Sequence, residues 1–292
     1  FLSFLGNPDL NPEVNVSYEV GFKAQIKKSI GLTLAAYNNN RFDYIVSRRV
    51  IVDDQTGRPV SKTMYINQDY AKVQGAEVNV IWRMTSYLRI FTNVAYQLAK
   101  GKSNSARESS LQIEQNGEVP LASENYLAWD RPWNINLGVV FAPDTTMKIY
   151  GNWMKGLQVY FSSSYQSGLR YTPQILESYN ALGRPEYVSD LNNYLEERAT
   201  PWINGDIKIS KTFANKNRKG ITISLEARNL FNNKNAQIVN PVTGRGWEQG
   251  DDLPNNQRDD RYLGPEESGT PPNNPARYMA PRQVLFGISF RV

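Results

Sequence analysis

Apolar side chains occur at every second position through much of this chain, with polar side chains between them. The clearest rows are Ile221, Ile223 and Leu225, and, near the end of the chain, Val284, Phe286, Ile288 and Phe290. Successive side chains of a β-strand point to opposite faces, so a period of two predicts strands with one apolar face and one polar face.

Turn-forming residues divide the chain into about nine such strands. Their predicted positions are 14–28, 32–48, 62–84, 87–101, 124–142, 148–169, 199–214, 219–234 and 280–292. The connectors alternate in length. Short connectors occupy 29–31, 85–86, 143–147 and 215–218, and long polar connectors occupy 49–61, 102–123, 170–198 and 235–279. A helical period occurs only at 186–198, where it predicts a short helix inside a loop.

The alternation of short and long connectors indicates an all-β fold, a transmembrane antiparallel β-barrel. In outer-membrane barrels the short turns face the periplasm and the long loops face outside, whereas a soluble β-sandwich has no reason to segregate them. Several predicted strands also exceed the roughly 10 residues that cross a bilayer at a tilt. The segment 41–67 shows the largest surplus and predicts a hairpin that rises well above the membrane.

The tryptophans provide a second, independent indication. If strand direction alternates, Trp133 and Trp202 lie near the outer ends of their strands, Trp129 lies just above Trp133, and Trp82 lies near the inner end of another strand. This spacing predicts two aromatic girdles at the level of the lipid headgroups. The alternative, a set of core tryptophans in a β-sandwich, is disfavoured by the loop pattern.

Composition narrows the function classes. The 292 residues contain neither cysteine nor histidine, which excludes disulfides, thiolate or imidazole metal sites, and Ser-His or Cys-His nucleophiles. The net charge of +5 is weak for a nucleic-acid-binding protein of this size, so no nucleic-acid partner is expected. No apolar run reaches the roughly 18 residues of a membrane-spanning helix. We therefore expect neither an enzyme nor a bound cofactor.

Six short motifs follow one another along the chain. They are Asn11-Pro12-Glu13 with Tyr18-Glu19-Val20-Gly21-Phe22, Tyr37 with Asp43-Tyr44-Ile45, Gly75-Ala76-Glu77, Asp130-Arg131-Pro132, Ser167-Gly168 with Tyr171-Thr172-Pro173, and Ala227-Arg228-Asn229-Leu230-Phe231-Asn232. In this order they resemble the C-terminal part of the barrel of TonB-dependent outer-membrane transporters, particularly the SusC-like branch of the Bacteroidetes. One difference is Val292, which stands where the family usually ends on an aromatic residue.

The resemblance implies that residues 1–292 form the C-terminal portion of a barrel of roughly 22 strands. The earlier strands and an N-terminal plug are expected outside this sequence, and TonB is expected to act through that missing region. The resemblance also implies the outer membrane of a Gram-negative bacterium, and a SusD-like surface lipoprotein lid in the SusC-like branch. Independently of any family, nine strands leave two open sheet edges, which are not viable alone in lipid.

Two long loops contain the candidate substrate-contact residues. They are Tyr171, Tyr179 and Tyr187 in one loop, and Trp247, Asp251, Asp252 and Tyr262 in the other. Aromatic faces beside carboxylates are suited to capturing a sugar or a peptide. The alternative is that these aromatic residues pack the loops against each other.

Charged residues in the loops are interpreted more simply. The carboxylate pairs are taken as solvated loop charge, and a cation site with oxygen ligands in 251–260 is the weaker alternative. Basic residues at the outer rim could contact anionic lipopolysaccharide; they are Arg48, Arg49, Arg58 and Lys62.

Two functions remain open from the sequence. The first is TonB-energised import of a scarce nutrient of the oligosaccharide, peptide or iron-chelate class, captured by the long outer loops. The second is a structural or secretion-associated barrel that serves as a scaffold without active transport. Only the region before residue 1 distinguishes them.

Overall fold

The computed structural model describes residues 4–53, 57–102, 124–143, 153–181, 183, 185–214, 220–248, 251 and 277–291. Within these ranges the chain is almost entirely antiparallel β-sheet. No helix in these ranges is both long enough and apolar enough to cross a membrane.

The described residues form fifteen strands and the short 3-10 segment Leu191–Asn193. The strands are β1 (Phe4–Leu5), β2 (Val14–Lys27), β3 (Ile30–Asp53), β4 (Pro59–Arg83), β5 (Leu88–Gly101), β6 (Asn125–Tyr126), β7 (Trp133–Phe141), β8 (Leu157–Gln166), β9 (Arg170–Tyr171), β10 (Gln174–Tyr179), β11 (Pro185–Ser189), β12 (Glu197–Arg198), β13 (Trp202–Ala214), β14 (Gly220–Arg228) and β15 (Gln283–Arg291).

Nine of these strands form one meander in the order β2-β3-β4-β5-β7-β8-β13-β14-β15. Each strand pairs with its neighbours in the chain, which confirms the predicted set of nine strands. The short β1 and β6 add to β4 and β5, respectively. Along the described residues β2 and β15 each pair on one side only, so the sheet is a partial barrel with two edges.

Two predicted strands and the predicted helix differ clearly from the structure. The predicted strand 124–142 is split into β6 and β7, because a turn at Leu127 to Asp130 and then Pro132, which has no N–H to donate, interrupt the ladder. The predicted strand 219–234 ends at Arg228, since Asn229 and Asn232 adopt positive φ values of 48° and 53°. The helix predicted at 186–198 is replaced by the end of β11, the 3-10 segment Leu191–Asn193, a turn and β12.

The two faces of the sheet differ sharply in polarity. In β14, Ile221, Ile223 and Leu225 are exposed by 41%, 38% and 46%. Their register partners in β15 are Phe290, Ile288 and Phe286, which are equally apolar. The intervening residues of β14 are polar on the opposite face. This is the facing predicted from the period of two, and it matches the lipid-facing and lumen-facing sides of a barrel wall.

The opposite face carries a row of small polar side chains across six strands. In register order they are Thr33, Asn79, Asn93, Asn136, Ser164 and Asn204. The Nδ2 of Asn93 donates to Oδ1 of Asn79 at 2.8 Å. We assign this polar face to the interior of the barrel, because an interior of this composition suits a water-filled or plugged lumen.

Trp82 and Trp133 lie on the apolar face, and Trp129, in the turn before β7, is exposed as well. Trp129, Trp133 and Trp82 are exposed by 44%, 42% and 37%, and the ring centroids of Trp133 and Tyr96 are 4.8 Å apart. Trp202 lies at the outer end of β13, as predicted, but its expected place in the aromatic girdle is wrong. Its neighbour Ile203 has the outward parity, so Trp202 lies on the polar face.

The β3–β4 hairpin is much longer than a membrane crossing, as predicted. β3 has 24 residues and β4 has 25. A bulge between Arg41 and Tyr44 interrupts their ladder, with Asp43 at φ 55°. The strands therefore continue well beyond the membrane-spanning part of the sheet.

The N-terminal segment 4–13 lies across this tall hairpin. The Nδ2 of Asn7 donates to the Tyr65 carbonyl at 2.8 Å. The Asn67 side chain accepts the Asn11 N–H at 2.8 Å and donates to the Asn11 carbonyl at 2.9 Å. Glu13 accepts the Ile45 N–H at 3.1 Å. The Asn-Pro-Glu motif thus joins the start of β2 to the protruding part of the hairpin.

Candidate functional site

The long loops leave the sheet at the end where Trp129 and Trp133 lie. At the base of these loops is a buried carboxylate, that of Asp130. Asp130 is fully buried. Its Oδ1 accepts the Ala99 N–H at 2.8 Å, and its Oδ2 accepts Arg170 Nε at 3.0 Å. Arg198 approaches Oδ2 to 4.0 Å. The carboxylate thereby connects β5 to both ends of the loop that leaves β8.

Arg170 is the principal partner of Asp130. Its side chain is 4% exposed, its Nη1 donates to the Glu196 carbonyl at 2.6 Å, and its guanidinium carbon lies 3.5 Å from the centroid of the Tyr126 ring. A buried charge is tolerated only when paired and hydrogen-bonded, and this arrangement meets both conditions. The base of the loop is therefore held rigidly.

The segment from Arg170 to Arg198 is an ordered loop. β9 pairs with β12 at its base, and β10 pairs with β11 above them. Tyr179, at the end of β10, is 65% exposed. Tyr187 is half-buried in β11, in register with Leu176. Of the predicted contact residues, Tyr179 is the one most open to a ligand among those the structure describes.

The first part of the second loop, 235–248, is organised by one ion pair. Arg245 binds Asp251 through two hydrogen bonds, Nη1 to Oδ2 at 3.0 Å and Nη2 to Oδ1 at 2.7 Å. Nη1 also lies 3.2 Å from Glu248 Oε2. The hydrogen bonds to Asp251 raise the pKa of Arg245 above its ordinary value. Both carboxylate oxygens of Asp251 are thus hydrogen-bonded to Arg245.

Trp247 is buried, with 5% of its surface exposed. The Arg277 guanidinium lies 5.0 Å from the centroid of its ring, and the Tyr278 hydroxyl donates to its carbonyl oxygen. Burial raises the pKa of Tyr278, with a further contribution from Glu248. Trp247 therefore packs inside the second loop, where it contacts Arg277 and Tyr278 in the segment that leads back to β15.

The two loops contact each other at their bases. The Gln174 N–H donates to the Pro241 carbonyl, and the Thr200 N–H donates to the Gly244 carbonyl, both at 2.9 Å. The Tyr171 ring covers Gly244, where a Cβ would meet its hydroxyl. Burial, followed by the Glu197 charge, raises the pKa of Tyr171. The two loops therefore meet at their bases, and Tyr171 lies within the contact, as the packing alternative predicts for it.

The structure places five of the seven predicted residues, and they fall into two groups. Tyr171, Trp247 and Asp251 make contacts inside the loop cluster, whereas Tyr179 and Tyr187 belong to the β10–β11 hairpin. Asp252 and Tyr262 lie outside the described residues. Among the described residues no group of three or more acidic side chains could hold a metal ion.

A surface cavity of about 430 Å³ opens on the polar face of the sheet beside the second loop. Its lining includes Gln166, Trp202, Asn204, Asp206 and Arg228. Asp206 accepts the Asn229 N–H at 2.8 Å and faces the Asn204 amide at 3.1 Å. The Trp202 Nε1 donates to the Ala236 carbonyl at 2.7 Å, and the Arg131 guanidinium covers its ring at 3.8 Å.

The site predicted from the sequence lies in the loops and therefore does not include these cavity residues. The signal was present in the alternation, since Asn204 and Asp206 lie between the apolar Ile203 and Ile207. Polar residues at strand positions facing a lumen are in reach of anything that passes through it.

Comparison with solved structures shows the fold. The outer membrane transporter YddB from Escherichia coli matches with a TM-score of 0.59 and 16% identity, over 99% of this chain and 34% of that one. The ferripyoverdine receptor of the outer membrane of Pseudomonas aeruginosa matches with a TM-score of 0.50 and 13% identity, over 96% of this chain and 27% of that one. The chain thus spans about a third of the first protein and about a quarter of the second. No curated protein matches the sequence significantly.

The family comparison is more specific. The family model described as TonB dependent receptor-like, beta-barrel, matches residues 2–230. That region contains eight of the nine strands of the meander, β2 to β14, and it accounts for most of the chain. The family is one of transporters and not of enzymes. The chain belongs to the TonB-dependent receptors of the Gram-negative outer membrane and forms part of their β-barrel.

Proposed function

We propose that this chain is part of the wall of a TonB-dependent importer and that its outer loops capture a nutrient. The observation that carries the proposal is the ordered cluster of loops 170–198 and 235–248 above a polar sheet face, in a chain of this receptor family. The P. aeruginosa receptor was solved with ferripyoverdine bound, which supports capture of a ligand from outside. The aromatic and amide groups of the loops and the polar face are suited to binding an iron chelate, an oligosaccharide or a peptide.

The architecture of the complete protein is part of the proposal. Residues 1–292 would be the C-terminal portion of a barrel of roughly 22 strands that encloses an N-terminal plug. Pairing of the free edges of β2 and β15 with earlier strands would close the barrel and satisfy their N–H and C=O groups. TonB would act through the N-terminal region, and the gene should encode a plug upstream of residue 1.

The SusC-like subtype remains a proposal based on the six motifs. It carries a specific expectation about partners, namely a SusD-like surface lipoprotein that covers the loop cluster. Affinity purification of the complete receptor from its native membrane would test this expectation. A lipoprotein retained in equal amount with the receptor is expected, and a receptor purified without one would contradict the subtype.

The alternative function is a structural or secretion-associated barrel without active transport. Deleting the complete gene, or TonB, and screening growth on single iron, oligosaccharide and peptide sources distinguishes the two. An importer predicts at least one source on which both deletions impair growth. If neither deletion changes growth on any source, the scaffold is favoured.

The loop site has its own test once such a source is identified. Replacing 252–276 by a short Gly-Ser linker removes Asp252 and Tyr262 but leaves Trp247 and the Arg245–Asp251 pair in place. Tyr179→Ala removes the exposed ring of the other loop. Both changes should weaken binding of the identified nutrient, by roughly tenfold for Tyr179→Ala if its ring contributes about 1.4 kcal/mol, while the unfolding temperature of the barrel is unchanged.

A matched control is Tyr18→Ala, since Tyr18 is also 65% exposed but lies on the apolar face of β2, away from the loops. Unchanged nutrient binding in both loop variants would contradict the loop site and would leave import itself intact.

A further inference from the structure

The apolar face ends at a sharp boundary near the outer ends of three adjacent strands. The outward positions of β4 read Trp82, Val80, Val78 and Ala76, and then change to Gln74 and Lys72. β3 changes in the same way at Asn38, and β5 reaches Lys100 after Tyr96 and Leu98. Above the apolar band, therefore, polar and then basic side chains follow.

Lys72 and Lys100 are direct register partners across β4 and β5. Side chains in such a pair have their Cβ atoms roughly 5 Å apart, and like charges in this position are destabilising. Neither lysine forms an ion pair with any described carboxylate. Lys100 does lie over the Tyr126 ring, with Nζ 4.5 Å from its centroid, but that contact leaves the positive charge uncompensated.

None of the nearby acidic side chains that the structure describes is paired with the two lysines. Glu19 and Glu77 have the inward parity of β2 and β4. Glu13 accepts a backbone N–H of β3. Glu124 has the outward parity of Tyr126 and Lys100 but lies beyond the pair, next to Tyr70, whose pKa is raised by burial and then by Glu124 and Asp69. Within the described part of the chain, the two lysines thus have room for an anion from outside.

The height of the pair suits a lipid headgroup. Lys72 is ten residues from Trp82 along β4, which corresponds to roughly 25 Å along the membrane normal for a strand tilted by about 40°. This is about the height of the apolar band of an outer-membrane barrel. Lys62 is another ten residues away, roughly 25 Å farther out. The rim residues suggested by the sequence, including Arg48, Arg58 and Lys62, are therefore too far from the bilayer surface.

We infer that Lys72 and Lys100 bind a phosphate group of a lipid A molecule in the outer leaflet, whose acyl chains lie along the apolar face below. The inference rests on the proposed membrane orientation and deepens the lipopolysaccharide contact expected for this protein. Gln74 and Asn38, which are joined by a hydrogen bond of 3.0 Å, lie between the lysines and the apolar band and can contact the sugar. An anion between the lysines removes the repulsion that the empty pair creates.

The test uses the complete receptor purified in detergent and exposed to two kinds of vesicle. One contains only phosphatidylethanolamine and phosphatidylglycerol, and the other also contains diphosphorylated lipid A. Lipid retention is measured by native mass spectrometry, and the unfolding temperature is measured in each lipid. Lipid A should raise the unfolding temperature of the unchanged protein beyond the effect of the phospholipids.

The informative variant is Lys72→Glu. In detergent without lipid A it should be at least as stable as the unchanged protein, because the cross-strand pair becomes attractive. Lipid A retention should fall at least fivefold, and most of the stabilisation by lipid A should disappear. If Lys72→Glu does not fold, the double variant Lys72→Gln/Lys100→Gln provides the same comparison of retention.

The matched control is Lys23→Gln/Lys28→Gln, which removes two positive charges near the opposite end of β2. It should retain lipid A normally. Equal retention by Lys72→Glu and the unchanged protein would overturn the inference. So would an equal effect of inorganic phosphate or of phosphatidylglycerol vesicles, since either would show a general anion site. None of these readouts involves import, so they are independent of the test of function.

Discussion

Asp130 shows how one side chain can determine the geometry of a large loop. Its two oxygens bind the Ala99 N–H and the Arg170 guanidinium in a fully buried position. Removing the carboxylate would leave Arg170 buried without its charge partner, and such losses cost more than the pair itself contributes. The stability of the outer end of the sheet is therefore sensitive to this residue.

We expect Asp130→Ala to destabilise the receptor by about 3–5 kcal/mol and to expose the loop 170–198 to proteases. Urea unfolding and limited proteolysis in detergent measure the two effects. Glu197→Ala, in the same loop but exposed, is the control and should have little effect. Wild-type stability and protease resistance in Asp130→Ala would mean that the network does not hold the loop.

Gly138 is a second residue with a specific requirement for space. A Cβ at this position would overlap the Phe91 ring, which also stacks on Tyr160 with centroids 6.4 Å apart. Gly138→Ala should therefore destabilise the wall by about 1–3 kcal/mol, the range for overpacking. Adding Phe91→Leu should recover part of the loss, which a double-mutant cycle of urea unfolding measures. Additive effects of the two changes would contradict the contact.

At the scale of the strands, the sequence predicts more than it does for single residues. The nine strands of the meander and the outward facing of Ile221, Ile223 and Leu225 follow from a period of two, which is a local signal. The division of 124–142 does not follow from the period of two, because besides the turn before Pro132 it depends on Asp130 contacts that join residues 31 and 40 positions apart. Such long-range pairing leaves no periodic trace in the sequence.

The orientation of β14 predicts how much a charged side chain on its apolar face destabilises the barrel. Ile223→Arg should destabilise by about 2–4 kcal/mol if it lies near the bilayer midplane. Ser224→Arg, the next residue on the polar face, should cost clearly less because its charge can be hydrated in the lumen. Folding into lipid vesicles at increasing urea concentration gives both values. Similar losses for the two variants would argue against a membrane on the apolar side.

The loop residues show the limit of sequence reasoning about the site. Trp247 has the aromatic character expected of a ligand platform, yet it is 5% exposed and covered by Arg277. Its burial depends on the return of the chain at Arg277 and Tyr278, some thirty residues later. The sequence left ligand contact and loop packing as alternatives for these aromatic rings, and it could not tell which rings the packing would bury.

At the scale of the whole molecule, the two open edges of the sheet lead to the strongest prediction. β2 and β15 expose unpaired N–H and C=O groups along their free sides, and such edges pair with other chains. Residues 1–292 expressed alone should therefore aggregate and fail to insert into lipid vesicles. Size-exclusion chromatography and vesicle flotation test this. A soluble monomer that unfolds cooperatively would contradict the barrel assignment.

The central claim is that the apolar face of this sheet contacts lipid and the polar face lines the barrel interior. Residues 1–292 contain no cysteine, so single cysteines can be placed at 221–226 in the complete receptor, with any cysteine elsewhere replaced by serine, and labelled in native membranes. A lipid-soluble probe should label positions 221, 223 and 225 strongly and positions 222, 224 and 226 weakly, and a membrane-impermeant probe should show the reverse preference. Equal labelling of Ile223→Cys and Ser224→Cys by the lipid-soluble probe would contradict the account.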